Sequence, residues 1–407
     1  GGEAEGSEPR QRPDHARLKQ RRRHWAKISG APLLVYARPV HLIQSESELA
    51  EVAASLADAT TLYLDTEFDS TRDGKTLCLV QISKGERVHL IDPLRLSSLD
   101  VLRPVLADPA REWVLHAGSQ DVDLLAIRFD LPEPPRVFDT QVAWALSSVE
   151  HSVSLAYLKF QLLGVRSGKS HQADDWKRRP LPDAQLAYAA ADIEELPALH
   201  RALGQRLEAR NRGSLVFDAS REVTWPVRED PEPLSVEDFR NAWQLDVHSQ
   251  AALRHLVGWY NGLSPRQRAH APDSKTLLSI ASRLPETATD LARIKGIHRR
   301  FAAEQGEQLV TEVLRASAGA DAGAFVPIDP PPYATPDEVR LDGWLSLARA
   351  EISAELEVAP ELAFPARLTR KLRARITETG ERARGAEVFD GWRRELIEPA
   401  FVAFAAR

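Results

Sequence analysis

The run LYLDTEF at residues 62–68 sets two carboxylates, Asp65 and Glu67, into a stretch that otherwise reads as a buried β-strand. Positions two apart on a strand face the same way, so Asp65 and Glu67 share one side while Leu64, Thr66 and Phe68 take the other. Taking one ionised carboxylate out of water costs on the order of several kcal/mol, and a like charge beside it adds to the cost. A chain that keeps such a pair must bring a positive charge to it. For hard oxygen donors the fitting partner is Mg²⁺ or Mn²⁺, with water and substrate phosphate completing the coordination. No His/Cys cluster at zinc spacing competes with this reading.

Two further segments carry groups of the same kind: Asp121 in HAGSQD, and Tyr188 with Asp192 in YAAAD. Positions four apart on a helix are neighbours, so Tyr188 and Asp192 are expected to face together. Singly these residues mean little, because an Asp at a strand end is usually a cap and a Tyr beside an Asp is usually packing. Asp123 reads as a helix-surface charge. Jointly, the three segments predict a split site for two divalent metals.

The chain has 407 residues, too many for one core. Its 43% apolar and 28% charged content is ordinary for a globular protein. A formal net charge of -6 gives no bulk preference for nucleic acid, so phosphate affinity must come from local basic patches. No apolar run reaches the roughly 18–20 residues that span a bilayer, and GGEAEGSEPR lacks the apolar stretch of a signal peptide. A cytoplasmic protein with no membrane partner is expected. The single cysteine, Cys78, lies in the apolar run TLCLVQI, where a buried thiol is expected.

Residues 1–32 read as a disordered basic arm, in which RLKQRRRHWAK surrounds Trp25 with cations. Such a run either grips a phosphate backbone or simply solvates a tail. Over 33–210, Ser45 and Glu48 form a capping box. The runs TLYLDTEF, TLCLVQIS and RVHLIDP follow, separated by the turn signals Asp73-Gly74 and Lys84-Gly85. Strands and helices then alternate, which predicts an α/β domain with a mixed sheet and helices on its faces. Residues 211–235 read as a linker, 236–318 as a helical domain, 319–336 as a Pro-rich linker and 337–407 as a second helical domain.

LDTEF, HAGSQD and YAAAD, with KSHQADDWKRRPL before the last, resemble the three exonuclease motifs of the ribonuclease D family, the Tyr-containing branch of the DEDD 3′-to-5′ exonucleases. The resemblance covers residues 39–205 and implies an RNase H-like fold. It also implies that Asp65 bridges two metals, that Glu67 and Asp192 help hold the ion carrying the attacking water, that Asp121 supports the second ion, and that Tyr188 orients the water. Each cycle would release one nucleoside 5′-monophosphate. Substrate contacts are expected from Thr66, Phe68, His116, Gln120, Lys169 and Arg179, while Trp176 is expected to pack. The segment after DTEF, reading DSTRDGKTLCLVQI, is shorter and more polar than in many relatives, so no aromatic substrate clamp is expected there.

Within 236–318, LRHLVGWY, PDSKTLLSIASRLP and LARIKGI resemble the HRDC module, a small helical nucleic-acid binder. Residues 337–407 match a second HRDC-like domain more weakly, through ISAELEVAP and GWRRELI, with Arg367, Arg370, Lys371, Arg373 and Arg375 as a candidate RNA-facing run or a solvated helix surface. The expectation is a monomeric, metal-dependent 3′-to-5′ exoribonuclease acting on structured RNA such as tRNA precursors. A DNA exonuclease and a catalytically silent RNA-binding protein are the alternatives.

Overall fold

A computed structural model describes residues 41–71, 74–133, 135–166, 174–225, 233–268, 271–322, 325–330 and 333–407. The basic arm, Asp73 of the first turn and Lys169 lie outside the described residues.

Six strands form one sheet: β1 (Leu42–Ile43), β2 (Thr61–Thr71), β3 (Gly74–Ser83), β4 (Val88–Ile91), β5 (Glu112–Leu115) and β6 (Arg136–Asp139). Their spatial order is β1-β4-β3-β2-β5-β6. β2, β3 and β4 pair antiparallel as two successive hairpins, whereas β1 joins β4, and β5 joins β2 and β6, in parallel. The sheet is therefore mixed, as expected, and β2 runs through its middle. The polar segment after DTEF continues the β2–β3 hairpin, with Thr71 paired to Gly74.

Helices α1 (Glu46–Ser55), α2 (Ser119–Phe129), α3 (Thr140–Ala145), α4 (Asp183–Glu194) and α5 (Leu196–Glu208) accompany the sheet. Ser45 and Glu48 form the anticipated capping box on α1. The stretch 211–235, expected as a linker, instead contains α6 (Leu215–Thr224). Leu215, Val216 and Ala219 are buried, and Ser220 Oγ accepts the Asp139 N–H at 3.1 Å. Apolar spacing on α6 outweighs the Pro and Asp residues that follow it.

The two later helical regions differ in how they are held. Residues 234–328 include α7 (Val247–Gly262), α8 (Ser274–Arg283), α9 (Ala288–Ala292) and α10 (Arg299–Ala318), and they bury a core of their own around Leu253, Leu256, Leu277, Ile280 and Val313. Gly296 has φ +99°, and a Cβ there would lie 2.2 Å from Thr276 Oγ1, so the KGI turn requires glycine. Part of the Pro-rich segment returns to this core: Ile328 N–H donates to Gln250 Oε1 at 2.7 Å.

The last region contains α11 (Pro336–Leu356), α12 (Ala366–Thr379), α13 (Gly391–Leu396) and α14 (Glu398–Ala405). Its Leu345, Ile352, Phe389, Trp392 and Phe401 belong to one continuous apolar cluster with Phe138, Trp144, Leu199 and Leu203 of the sheet domain. Arg212, buried, donates to Leu146 O and to Leu356 O, both at 2.6 Å, and Ala359 N–H donates to Ala145 O at 2.8 Å. Buried Arg393 pairs with Glu222 of α6 at 2.6 Å. Among the basic run of α12, Arg373 is paired with Asp342 and Glu338, and Arg375 with Glu378 and Glu387. Both cations are thus paired within their own helical region.

Candidate active site

Asp65 and Glu67 lie side by side on β2, and Asp192 comes from the last turn of α4. One carboxylate oxygen from each falls within 4.8 Å of the others. Tyr188, one turn earlier on α4, donates its hydroxyl to Asp192. Asp121, in the first turn of α2, is drawn onto β2: its Oδ1 accepts from Thr66 N–H at 3.0 Å and from Thr66 Oγ1 at 2.5 Å. The structure thus brings together all five groups expected of the site, in a cleft of about 710 Å³.

The loop that delivers Asp121 is held by a residue the sequence reading passed over. Ala117 has φ +52°, a left-handed conformation that costs a non-glycine residue about 1–2 kcal/mol. Asp139, fully buried, accepts from Ala117 N–H at 3.1 Å and from Gly118 N–H at 2.8 Å while also capping α3. A Cβ on Gly118 would lie 2.7 Å from Leu115 Cβ, so α2 can start this close to β5 only with glycine there.

Burial sets the electrostatics of the cluster. It pushes the Glu67 carboxyl up to about 8, with Asp192 and Asp121 adding repulsion. Asp65 is raised well above the usual carboxylate range by burial and then by Asp121, Glu67 and Asp192. Asp121 and Asp192 are also raised by burial, opposed by Thr66 in one case and by Lys159 and Tyr188 in the other. The donor set is all carboxylate, suited to hard divalent cations, and a cation would relieve the repulsion that raises these groups. On this chemistry the residues fit a metal.

A family model described as 3′-5′ exonuclease matches residues 40–208, and the HRDC domain model matches residues 272–313. Ribonuclease D of Pseudomonas paraeruginosa is 30% identical over 380 residues, covering 91% of this chain and 98% of the relative. Ribonuclease D of Granulibacter bethesdensis is 31% identical over 372 residues, covering 88% and 90%. This chain belongs to the ribonuclease D family. The crystal structure of Escherichia coli RNase D, an exoribonuclease involved in structured RNA processing, aligns with a TM-score of 0.67 at 26% identity, covering 91% of this chain and 99% of that one. As a ribonuclease D, the protein is a 3′-to-5′ exoribonuclease, and its exonuclease domain is of a kind that uses divalent metals.

Of the expected substrate contacts, Phe68, His116 and Gln120 line the cleft. Thr66 lines it too, but both its N–H and its hydroxyl are given to Asp121. His116 Nδ1 lies 2.9 Å from Thr140 Oγ1, and burial pushes its pKa down.

Arg179 is a correction. Its Nε and Nη2 each donate to Asp92 at 2.7 Å, Nη1 to Trp176 O and Arg178 O, and Nη2 also to Cys78 O at 2.8 Å. The sheet has a bulge between Glu67 and Phe68, where Phe68 pairs with Leu77 and Cys78 is passed over. That leaves the Cys78 carbonyl for Arg179. All five guanidinium donors are committed inside the protein, so the side chain has none for phosphate. It latches the segment before α4 to β3 and β4, with buried Trp176 tilted against Tyr188 at 6.4 Å.

Lys159 escaped the sequence reading altogether. It is buried in a π-helical turn, Lys159–Leu163, with Nζ 2.9 Å from Glu195, 3.8 Å from Asp192 and 2.5 Å from Ala191 O. It braces the α4–α5 junction that presents Asp192. A lone lysine in KFQLL carries no local pattern that distinguishes it from a surface charge.

Proposed function

We propose that Asp65, Glu67 and Asp192 hold one divalent ion and that Asp65 with Asp121 holds a second, each Mg²⁺ or Mn²⁺, in a site that removes nucleotides singly from RNA 3′ ends. The observation that carries this reading is the convergence of three carboxylates within 4.8 Å, all with raised pKa. Such ions, when bound, polarise the scissile phosphate and make water a stronger nucleophile.

The chain's own residues do the positioning. The Tyr188 hydroxyl, fixed on Asp192, orients the attacking water opposite the leaving 3′ oxygen. Thr66 holds Asp121 by one oxygen and leaves the other for an ion. Phe68 packs against the terminal base, with His116 and Gln120 bounding the terminal nucleotide. Hydrolysis on the upstream side of the last phosphate frees a nucleoside 5′-monophosphate.

The reading extends to tRNA 3′ ends and other structured precursors as substrates, gripped by the HRDC region. It also includes a monomeric, cytoplasmic enzyme. The description of the E. coli relative as acting in structured RNA processing supports the substrate class. Among the described residues, no helix is long and apolar enough to cross a membrane.

The test is incubation with 3′-labelled and 5′-labelled RNA and DNA of equal sequence, with Mg²⁺, with Mn²⁺ and with chelator. Metal-dependent release of mononucleotides from RNA 3′ ends is expected. Asp65→Asn should cut the rate by more than about 100-fold, beyond the loss typical of a supporting partner, while RNA binding persists. Internal cleavage products, or turnover indifferent to chelator, would overturn the mechanism.

A further inference from the structure

A second concavity, of about 750 Å³, opens beside the catalytic cleft. Gln120 lines both. Lys75, which lines the second, holds its ammonium 5.0 Å from the centroid of the Phe68 ring, and Phe68 lines the first. The two spaces therefore meet at Gln120 and the Phe68–Lys75 pair.

One wall of this groove is a face of α2 running from Ser119 to Asp130, about 16 Å at 1.5 Å per residue. The other is the end of α6, with Arg221 and Trp225. Ile127 on the α2 wall is 68% exposed and lines the groove. Trp225 is half-buried, one part packed on the core and the rest available to the groove. Of the two acids on this face, Asp130 lies 3.5 Å from Arg103, and Asp123 is also engaged. An aromatic ring, an exposed aliphatic side chain and two cations lining one groove offer partners for the bases and the phosphates of a single strand.

We propose that this groove is the track for the single-stranded RNA immediately upstream of the 3′ end, with bases against Trp225 and Ile127 and phosphates beside Lys75 and Arg221. The proposal rests on the catalytic reading above, because the 3′ end must lie in the adjoining cleft. It commits to unpaired RNA, since a groove floored by one helix face and flanked by one ring holds a strand and not a duplex.

Fluorescence anisotropy in chelator, with the full chain and single-stranded RNAs of three and ten nucleotides, tests it. Arg221→Ala and Ile127→Glu, both at exposed positions, should each lower affinity for the ten-nucleotide RNA by about tenfold. Each should also reduce the ratio of ten- to three-nucleotide affinities. Arg221→Ala should reduce the slope of log affinity against log salt by about one. An unchanged length ratio in both variants overturns the proposal. Metal-dependent cleavage of the three-nucleotide RNA by the unaltered enzyme reports on the catalytic reading separately, so either idea can fail while the other stands.

Discussion

The two helical regions that follow the exonuclease domain are both all-helical, yet they are built on different terms. Residues 234–328 close their own core, with Leu253, Leu277 and Val313 packed among themselves. Residues 333–407 do not, because Phe389, Trp392 and Phe401 complete a cluster that includes Phe138 and Trp144 of the exonuclease domain. The first is a module that can be added to a catalytic domain; the second is part of that domain's foundation. One acid of the carboxylate cluster stands on this shared foundation, since α4 and α5 carry Asp192 and the buried Leu199 and Leu203 on one continuous stretch.

Calorimetry should therefore show two transitions, one for residues 42–225 with 333–407 and one for 234–328. The largest expected effect is from Trp392→Ala, about 3–5 kcal/mol, which should lower only the first transition and remove cleavage with it. Leu277→Ala, at about 2–5 kcal/mol, should lower only the second and leave turnover of a three-nucleotide RNA in place. A single transition moved by both substitutions would break the comparison.

Arg179→Leu sharpens it. Leaving Asp92 buried without its guanidinium should cost about 3 kcal/mol. The loss should appear in the first transition alone, with kcat falling because the segment ahead of Tyr188 and Asp192 is no longer latched. Retention of full stability and activity, with weaker RNA binding, would restore the phosphate role first expected of Arg179.

The last expected effect is one of pH, confined to the metal-free state. Glu67 is raised from an ordinary 4.5 to about 8, so the folded, metal-free state holds a proton the unfolded chain releases. That stabilisation is complete below about pH 4.5 and is lost as pH rises to about 8. Asp65, Asp121 and Asp192 act in the same direction. The metal-free first transition should therefore fall to lower temperature as pH rises from 5 to 8. Added Mg²⁺ should raise it more at pH 8 than at pH 5, because protons no longer compete for the carboxylates. The second transition should not respond to Mg²⁺.

Much of the site was legible because its signals are short-range. Asp65 and Glu67 share a strand face, Tyr188 and Asp192 share a helix face, and Asp121 opens a helix. The capping box of Ser45 and Glu48 and the two hairpins were visible for the same reason. The helix Leu215–Thr224 was misread as linker on local composition, whereas the single residues misread or missed all turn on distant partners. Arg179 looked like a phosphate ligand because Asp92 lies 87 residues away. Lys159 looked like nothing because Asp192 and Glu195 lie more than 30 residues on. Asp139 gave no hint that it would hold the turn before Asp121.

By itself, then, the sequence determined which side chains could do the chemistry, since alternation along a strand and spacing along a helix follow from backbone geometry within a few residues. Tertiary structure alone decided that Arg179 and Lys159 are engaged inside the fold. It also decided that the last helical region belongs to the catalytic core. Both depend on burial and pairing between residues far apart in the chain, and composition looks the same whichever partner a side chain finds.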